Sequence, residues 1–310
     1  MGNNEEENCN GKISIGMPIR NAEDVLENRL KSILAQSFED FELIISDNCS
    51  EDKTSEICEK YSKMDKRIKY FKQSKNIGIH DNFKFVLQKA INEYFVWAAH
   101  DDTWHEDYLK RNQNILLTKK DYVCSISKLK WVGPSIEELK ISSNDSFFKK
   151  IEKRIRAKLG LLYPITTKGG FEERVHECLK KKGSGYIYGV FRTKILKKVL
   201  PEDTFLGTET AITLGALKYG NFFVVESELF QKYVGSKGES SGGMIRWIMS
   251  INPNKYSILF PLHYLNLWLI KNLGIKLYFK NLDSIISMYF VQYIYLTFNF
   301  LQIFKKKIIK

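Results

Sequence analysis

Residues 12–52 read KISIGMPIRNAEDVLENRLKSILAQSFEDFELIISDNCSED, and two hydrophobic periods alternate within them. Ile13 to Met17 is a short apolar run of strand length that Pro18 is expected to stop. Val25, Leu26, Leu30, Ile33 and Leu34 then recur at helical spacing, which predicts an amphipathic helix from Ala22 to Gln36. Phe41 to Ser46 returns to strand length, rich in Ile and apolar enough to be buried on both faces. Strand, helix and strand in so short a stretch make a βαβ unit, whose strands lie parallel.

The alternation continues outward. A turn at Asp47–Asp52 leads into a second helix ending at Met64, and Ile68 to Phe71 is a third strand. Ile79, Phe83, Leu87 and Ile91 mark a third helix, and Tyr94 to Ala99 a fourth strand. The expected fold class is therefore α/β, an open and mostly parallel sheet flanked by helices. Beyond Asp121 the pattern weakens. Phe147, Phe148, Ile151, Ile155, Leu159 and Leu162 form a helical stripe among lysines and arginines, best read as a solvated basic helix. Gly183-Ser184-Gly185 precedes an apolar run, Tyr186 to Phe191, expected to be another strand.

Composition narrows the function classes. With 44% hydrophobic and 27% charged residues, 310 residues describe a folded chain of one large domain with an appendage. The five cysteines are scattered without a CxxC pair, so they read as reduced thiols, not a disulfide framework or a zinc site. Residues 1–11 are polar and acidic, a lead-in without the features of a secretory signal.

In an open parallel sheet, ligands bind beyond the carboxyl ends of the strands. That rule selects the loops Pro18–Asn21, Asp47–Asp52, Asn76–Asn82 and His100–Thr103. No GxGxxG follows the first strand and no GxxxxGK[ST] occurs, so dinucleotide and P-loop chemistry lose their main support. A diphosphate held without such a loop needs another positive charge, and Mg²⁺ or Mn²⁺ on carboxylates supplies it. Asp101 and Asp102 close an apolar strand and are placed for this; Asp102 is equally suited to cap a helix before Trp104.

The order of these motifs resembles that of family 2 glycosyltransferases of the GT-A fold, inverting enzymes of bacterial-type cell-surface polysaccharide biosynthesis. Residues 13–54 match that family's first strand, first helix and nucleotide loop, Asn76-Ile77-Gly78 with Asn82 its third loop, and Trp97–Trp104 its metal-binding strand end. The resemblance fades toward Val234. It implies a domain over 12–240, with a nucleotide-sugar-binding half at 12–127 and an acceptor-side half at 128–240. It further implies that Pro18, Arg20 and Asn21 border the nucleotide of a nucleotide-sugar donor. Asp47 would accept a hydrogen bond from the base, which suits the ring N–H of uracil and hence a UDP-sugar. Asn76, Gly78 and Asn82 would complete the donor pocket. Asp101 would coordinate the Mn²⁺ or Mg²⁺ that bridges the phosphates, and Asp102 would lie beside the donor sugar or shape the loop. The sequence departs from the family's Asp-X-Asp-Asp at Ala99-His100-Asp101-Asp102, which lacks the first carboxylate. The metal site is therefore expected to form only with the donor diphosphate. His100, expected to point away from its neighbours, is the weaker candidate ligand.

On the acceptor side, Phe205 to Leu214 resembles the family's segment in which an acid begins a helix, and Glu209 is the candidate general base. A first-turn acid favoured by the helix dipole is the alternative. By the same resemblance Gly189 would admit donor or acceptor closely, Arg192 would be structural or phosphate-facing, and Tyr233–Ser241 would be a mobile loop with Lys237 near the diphosphate.

Residues 244–310 hold nine Lys/Arg against the single acid Asp283, eight of the net twelve positive charges, with 14 of the 41 aromatic residues. Such a tail, taken as 241–310, suits a membrane surface better than nucleic acid, whose partners keep their aromatics in a polar groove. Ser284 to Phe304 has no charge and is long enough to span a bilayer. Basic residues flank it on both sides, however, which favours helices lying in the interface. A helical cap and a homo-oligomer interface remain alternatives. The sequence thus points to a metal-assisted glycosyltransferase, peripheral on the inner face of the cell membrane, acting on a glycan or lipid-linked acceptor. A sugar-phosphate nucleotidyltransferase and a non-enzymatic membrane-binding protein are the rival readings.

Overall fold

Apolar strands that bury both faces organise the first half of the chain. The structure, a computed structural model, describes residues 11–143, 163–181, 185–235 and 259–308, with the single positions 145, 147, 150, 151, 153, 154, 157 and 183. Strand β1 (Ile13–Ile19) lies parallel between β2 (Phe41–Asp47) and β4 (Tyr94–Trp97), and β3 (Ile68–Lys72) extends the parallel set beyond β2. Every residue of β1, β2 and β4 is buried. Helices α1 (Leu26–Leu34), α2 (Thr54–Met64) and α3 (Ile79–Lys89) join them. Leu26, Leu30 and Ile33 of α1 are fully buried, each contributing roughly 1.5–3 kcal/mol over an exposed side chain.

Pro18 does not end β1 but sits inside it, opposite Ser46. Ala98 N donates to the Gly16 carbonyl, so Pro18's missing amide faces the same side, where β4 has already ended at Trp97. No ladder bond is lost there. Helix α1 starts at Leu26, later than its apolar spacing suggests, and the Ala22 amide ahead of it donates to Thr54 Oγ1 of the neighbouring loop.

The second half is mixed. Strand β5 (Thr103–Trp104), α4 (Tyr108–Thr118), β6 (Tyr122–Val132), α5 (Pro134–Leu139) and α6 (Phe171–Lys180) precede β7 (Val190–Arg192). Helices α7 (Thr193–Val199) and α8 (Thr208–Ala216) lead to β8 (Asn221–Tyr233). The single eight-stranded sheet runs β3-β2-β1-β4-β7-β6-β8-β5, with β7 antiparallel to β4 and β6, and β5 antiparallel to β8. The expected strand Tyr186–Phe191 is corrected: Tyr186–Tyr188 is a 3₁₀ turn, and pairing begins at Val190. Tyr186 hydroxyl donates to the Ile165 carbonyl and accepts from the Ile165 amide, pinning the turn.

Three helices follow: α9 (His263–Leu273), α10 (Ile275–Lys280) and α11 (Leu282–Ile308). Leu265 and Leu269 of α9 are buried, and α9 packs on α8. Asn281 Oδ1 lies 2.8 Å from His176 Nδ1 of α6, so this segment is docked on the domain. Among the described residues no helix is long and apolar enough to cross a membrane. Most of the stripe Phe147–Leu162, the loop beyond Gly235 with Lys237, and residues 241–258 lie outside the described residues.

Candidate active site

The carboxyl ends of the parallel strands carry a connected set of loops. Asn48 N donates to the Ile19 carbonyl, and Asn21, at φ 49°, gives its amide to Ser50 Oγ and accepts the Glu51 amide at Oδ1. Exposed Arg20 pairs with Glu51 at 3.1 Å. On the other side Asn48 Nδ2 reaches Asn76 Oδ1 at 2.9 Å and the Gly78 carbonyl at 3.1 Å, while its Oδ1 accepts the Ile77 amide. Gly78 has φ 87° with open space around it, so the backbone turn, not crowding, calls for glycine. Asn82, buried, donates to the Ser46 carbonyl, and its Oδ1 meets no donor among the described residues. The structure thus brings Arg20, Asn21, Asp47, Asn76, Gly78 and Asn82 together, with Asn48 as the hub the sequence reading passed over.

Asp47 is engaged within its own loop and the neighbouring strand. It is fully buried, and its Oδ1 accepts from the Ser50 amide and hydroxyl while Oδ2 accepts from Ser55 Oγ at 2.8 Å and Tyr70 hydroxyl at 3.0 Å. Four donors, three of them hydroxyls, thus occupy the lone-pair directions of the carboxylate. The carboxylate clamps the loop from β2 to α2.

Loop 98–103 leaves β4 beside Gly16 and splits the aspartate pair. Asp102 is buried: Oδ2 lies 3.2 Å from Lys232 Nζ, and Oδ1 accepts the Tyr233 amide at 3.0 Å. Burial raises its pKa above the usual aspartate value, with Lys232 and that amide opposing. It caps no helix but ties the loop to β8, which fits the loop-shaping alternative. Asp101 is half-buried and carries no hydrogen bond or ion pair with the described residues, yet its charge is felt by Arg29, Asp102 and Lys232. It is the available carboxylate of the pair.

Two cations sit behind this acid pair. Arg29 of α1 donates from Nε to the Ala99 carbonyl at 2.9 Å and stacks 4.2 Å over the Trp104 ring. Burial lowers its pKa to about 10, against the pull of Asp102, Tyr108 and Asp101. Lys232 lies 4.4 Å over the Tyr188 ring. Burial opposes its charge, but Tyr188, Asp102 and Asp101 together hold its pKa above the ordinary lysine value. Arg29 was legible as a charge on α1's apolar stripe, three residues after Leu26. Lys232 was not, because register shifts between β6 and β8 break the strand's alternation.

Across Tyr188 stands Glu209, in the first turn of α8. Its side chain reaches solvent from a crowded recess, where surrounding protein raises its pKa above the usual glutamate value and Lys232 opposes. Gly189 and Arg192 are structural. A Cβ on Gly189 would lie 2.7 Å from Cys124 Sγ, and Arg192 donates to the Leu116 and Tyr122 carbonyls. A separate recess of about 700 Å³, between Lys128, Trp131, Tyr163 and Glu228, is lined by none of the expected site residues.

No three potential metal ligands cluster among the described residues. One available carboxylate beside two fixed cations does not make a self-sufficient cage. It suits an ion shared with phosphates, since Mg²⁺ is commonly held by one or two carboxylates plus substrate oxygens.

Residues 14–179 match the sequence profile of glycosyl transferase family 2. The chain belongs to that family. Curated relatives include the putative teichuronic acid biosynthesis glycosyltransferase TuaG of Bacillus subtilis, 32% identical over 34% of this chain and 42% of TuaG. The GalNAc(5)-diNAcBac-PP-undecaprenol beta-1,3-glucosyltransferase of Campylobacter jejuni is 24% identical over 69% of this chain and 62% of that protein. These alignments span only about half the length of the relatives. Among solved structures, S. aureus TarS 1-349 in complex with UDP-GlcNAc superposes with a TM-score of 0.56 at 17% identity, covering 87% of this chain and 73% of TarS 1-349. That likeness establishes the GT-A fold of this family 2 member.

Proposed function

We propose that this family 2 member is an inverting glycosyltransferase that moves a sugar from a nucleotide-diphosphate donor to a glycan or lipid-linked acceptor. The observation that carries the reading is that Asp101 and Glu209 both lie within electrostatic reach of Lys232, which sits 4.4 Å over the Tyr188 ring. Tied loops at 18–22, 47–54 and 76–82 form the nucleotide side, and Asp101 with the donor phosphates would hold Mn²⁺ or Mg²⁺. When bound, the ion supplies charge neutralisation for the leaving diphosphate. Lys232 and Arg29 oppose the rise in pKa that burial imposes on Asp102. Glu209, its pKa raised above the usual glutamate value, takes the proton of the acceptor hydroxyl as the bond to the anomeric carbon forms.

A uridine donor is supported by TarS, which shares the fold and has been crystallised with UDP and with UDP-GlcNAc. A lipid-linked acceptor is supported by the Campylobacter relative, whose name carries a PP-undecaprenol acceptor. The reading places the enzyme at the cytoplasmic membrane face. The described cysteines, Cys49, Cys58, Cys124 and Cys178, are all free thiols, in keeping with that compartment.

Thermal unfolding with UDP and Mn²⁺ tests the reading. Wild type is expected to melt higher with both together, and Asp101→Ala to lose that increment without melting lower by itself. A melting temperature unmoved by every nucleotide diphosphate would refute it.

A further inference from the structure

Helices α9–α11 turn large apolar residues outward. Leu262, Leu265 and Leu269 are buried, yet Leu267, Ile270, Ile275, Phe279, Ile286 and Phe290 are exposed, Leu267 by 62% and Phe290 by 65%. Along α9 the outward positions are Tyr264, Leu267 and Lys271; along α11 they are Ile286, Phe290 and Tyr293, at helical spacing. A solvated cap would show polar residues there. Among the described side chains of these helices the exposed charges are Lys271, Lys276, Lys280 and the one acid Asp283, and Lys280 reaches Glu172 of α6 at 3.1 Å.

What covers such a face is decided by its charge. A symmetric dimer would set the same basic patch against itself. An anionic bilayer offers apolar depth for the leucine, isoleucine and phenylalanine side chains, and opposite charge for the lysines. We propose that the outer face of α9–α11 docks on an anionic lipid surface. The consequence for catalysis rests on the glycosyltransferase reading: α9 packs on α8, whose first turn carries Glu209, and a Cβ on Gly207 at the start of α8 would lie 2.7 Å from a Leu265 methyl carbon. The lipid face and the acceptor side are therefore neighbours, so an acceptor embedded in the membrane would be presented to the base.

Flotation of the full chain with phosphatidylcholine vesicles, with and without phosphatidylglycerol, tests the surface. Wild type is expected to float with the anionic vesicles and to be released by salt. Leu267→Ser with Phe290→Ser is expected to abolish flotation, and Lys271→Gln with Lys276→Gln to weaken it about fivefold per lysine. The proposal is overturned if wild type stays down with both vesicles, or if the apolar variant floats undiminished. It is equally overturned if sedimentation shows a dimer that this variant dissociates. Transfer to a soluble acceptor is measured alongside and is expected to be equal in wild type and variants. A wild type that floats but transfers nothing would strike the catalytic reading and leave the lipid surface standing.

Discussion

Lys232 Nζ lies 3.2 Å from Asp102 Oδ2, and this pair fastens the last long strand to the loop that carries Asp101. The Asp102 side chain is fully buried and Lys232 nearly so. Removing one partner of such a pair leaves an uncompensated buried charge. Lys232→Met is expected to lower the unfolding free energy by about 3 kcal/mol. Asp102→Asn in the same background should recover at least about 1 kcal/mol of the summed losses, by urea unfolding of the full double-mutant cycle. Additive losses would show that the two residues do not act as a pair.

Glu209, exposed at the start of α8, is held between opposing influences: partial desolvation by the surrounding protein raises its pKa and the Lys232 charge lowers it. As a base it works only when deprotonated, so kcat/KM is expected to fall on the acid side, with its inflection above the ordinary glutamate value. Taking away Lys232 removes the lowering influence, so the proton stays on Glu209 to higher pH. The acid limb should then move to higher pH in Lys232→Met. Glu209→Gln should lower kcat by roughly 10²–10⁴-fold while the melting shift with UDP and Mn²⁺ persists. An acid limb that does not move would remove Glu209 from the role of base.

Asp47 separates a loop clamp from a base contact. Asp47→Asn leaves one oxygen to accept but turns an amide toward Ser55 and Tyr70, at a cost of about 1–3 kcal/mol. If the carboxylate only shapes the loop, affinity for UDP and CDP should weaken by the same factor in titration calorimetry. A loss confined to UDP would restore the uracil contact that the family resemblance implies.

The parallel half was legible because each apolar run had one plain period and each loop fell directly after it. Beyond Asp121 that signal failed for physical reasons. Strand β6 carries Ser125 and Ser127 fully buried, with Ser125 Oγ bonded to Asn112 Oδ1, so tertiary partners make polar residues acceptable in a core strand. Tyr186 reads as strand but its hydroxyl is used to anchor a turn. The site divided in the same way. Asp101 and Asn21 are candidates by position after a strand, and Glu209 by the family resemblance alone. The unequal fate of Asp101 and Asp102 depends on Lys232, more than a hundred residues away, and spacing carries no trace of it.

Arg29 poses the sharpest test of what the buried cations are for. Its Nε holds the Ala99 carbonyl, but Nη1 and Nη2 are buried without a partner among the described residues. A guanidinium so placed is costly to bury, and replacing a buried charge by an apolar side chain of similar length is often neutral or stabilising. Asp101 loses a countercharge, which works against that gain, but Asp102 keeps Lys232, which limits the loss. Arg29→Met is therefore expected to leave the melting temperature within a few degrees of wild type. It should nevertheless weaken UDP–Mn²⁺ binding about tenfold, because the loop from Ala99 to Asp101 loses its anchor and the acid its neighbouring charge. Calorimetric melting and titration with UDP–Mn²⁺ on the same preparation separate the two effects. A variant that melts far lower, or binds as wild type does, would show that Arg29 serves the core and not the loop.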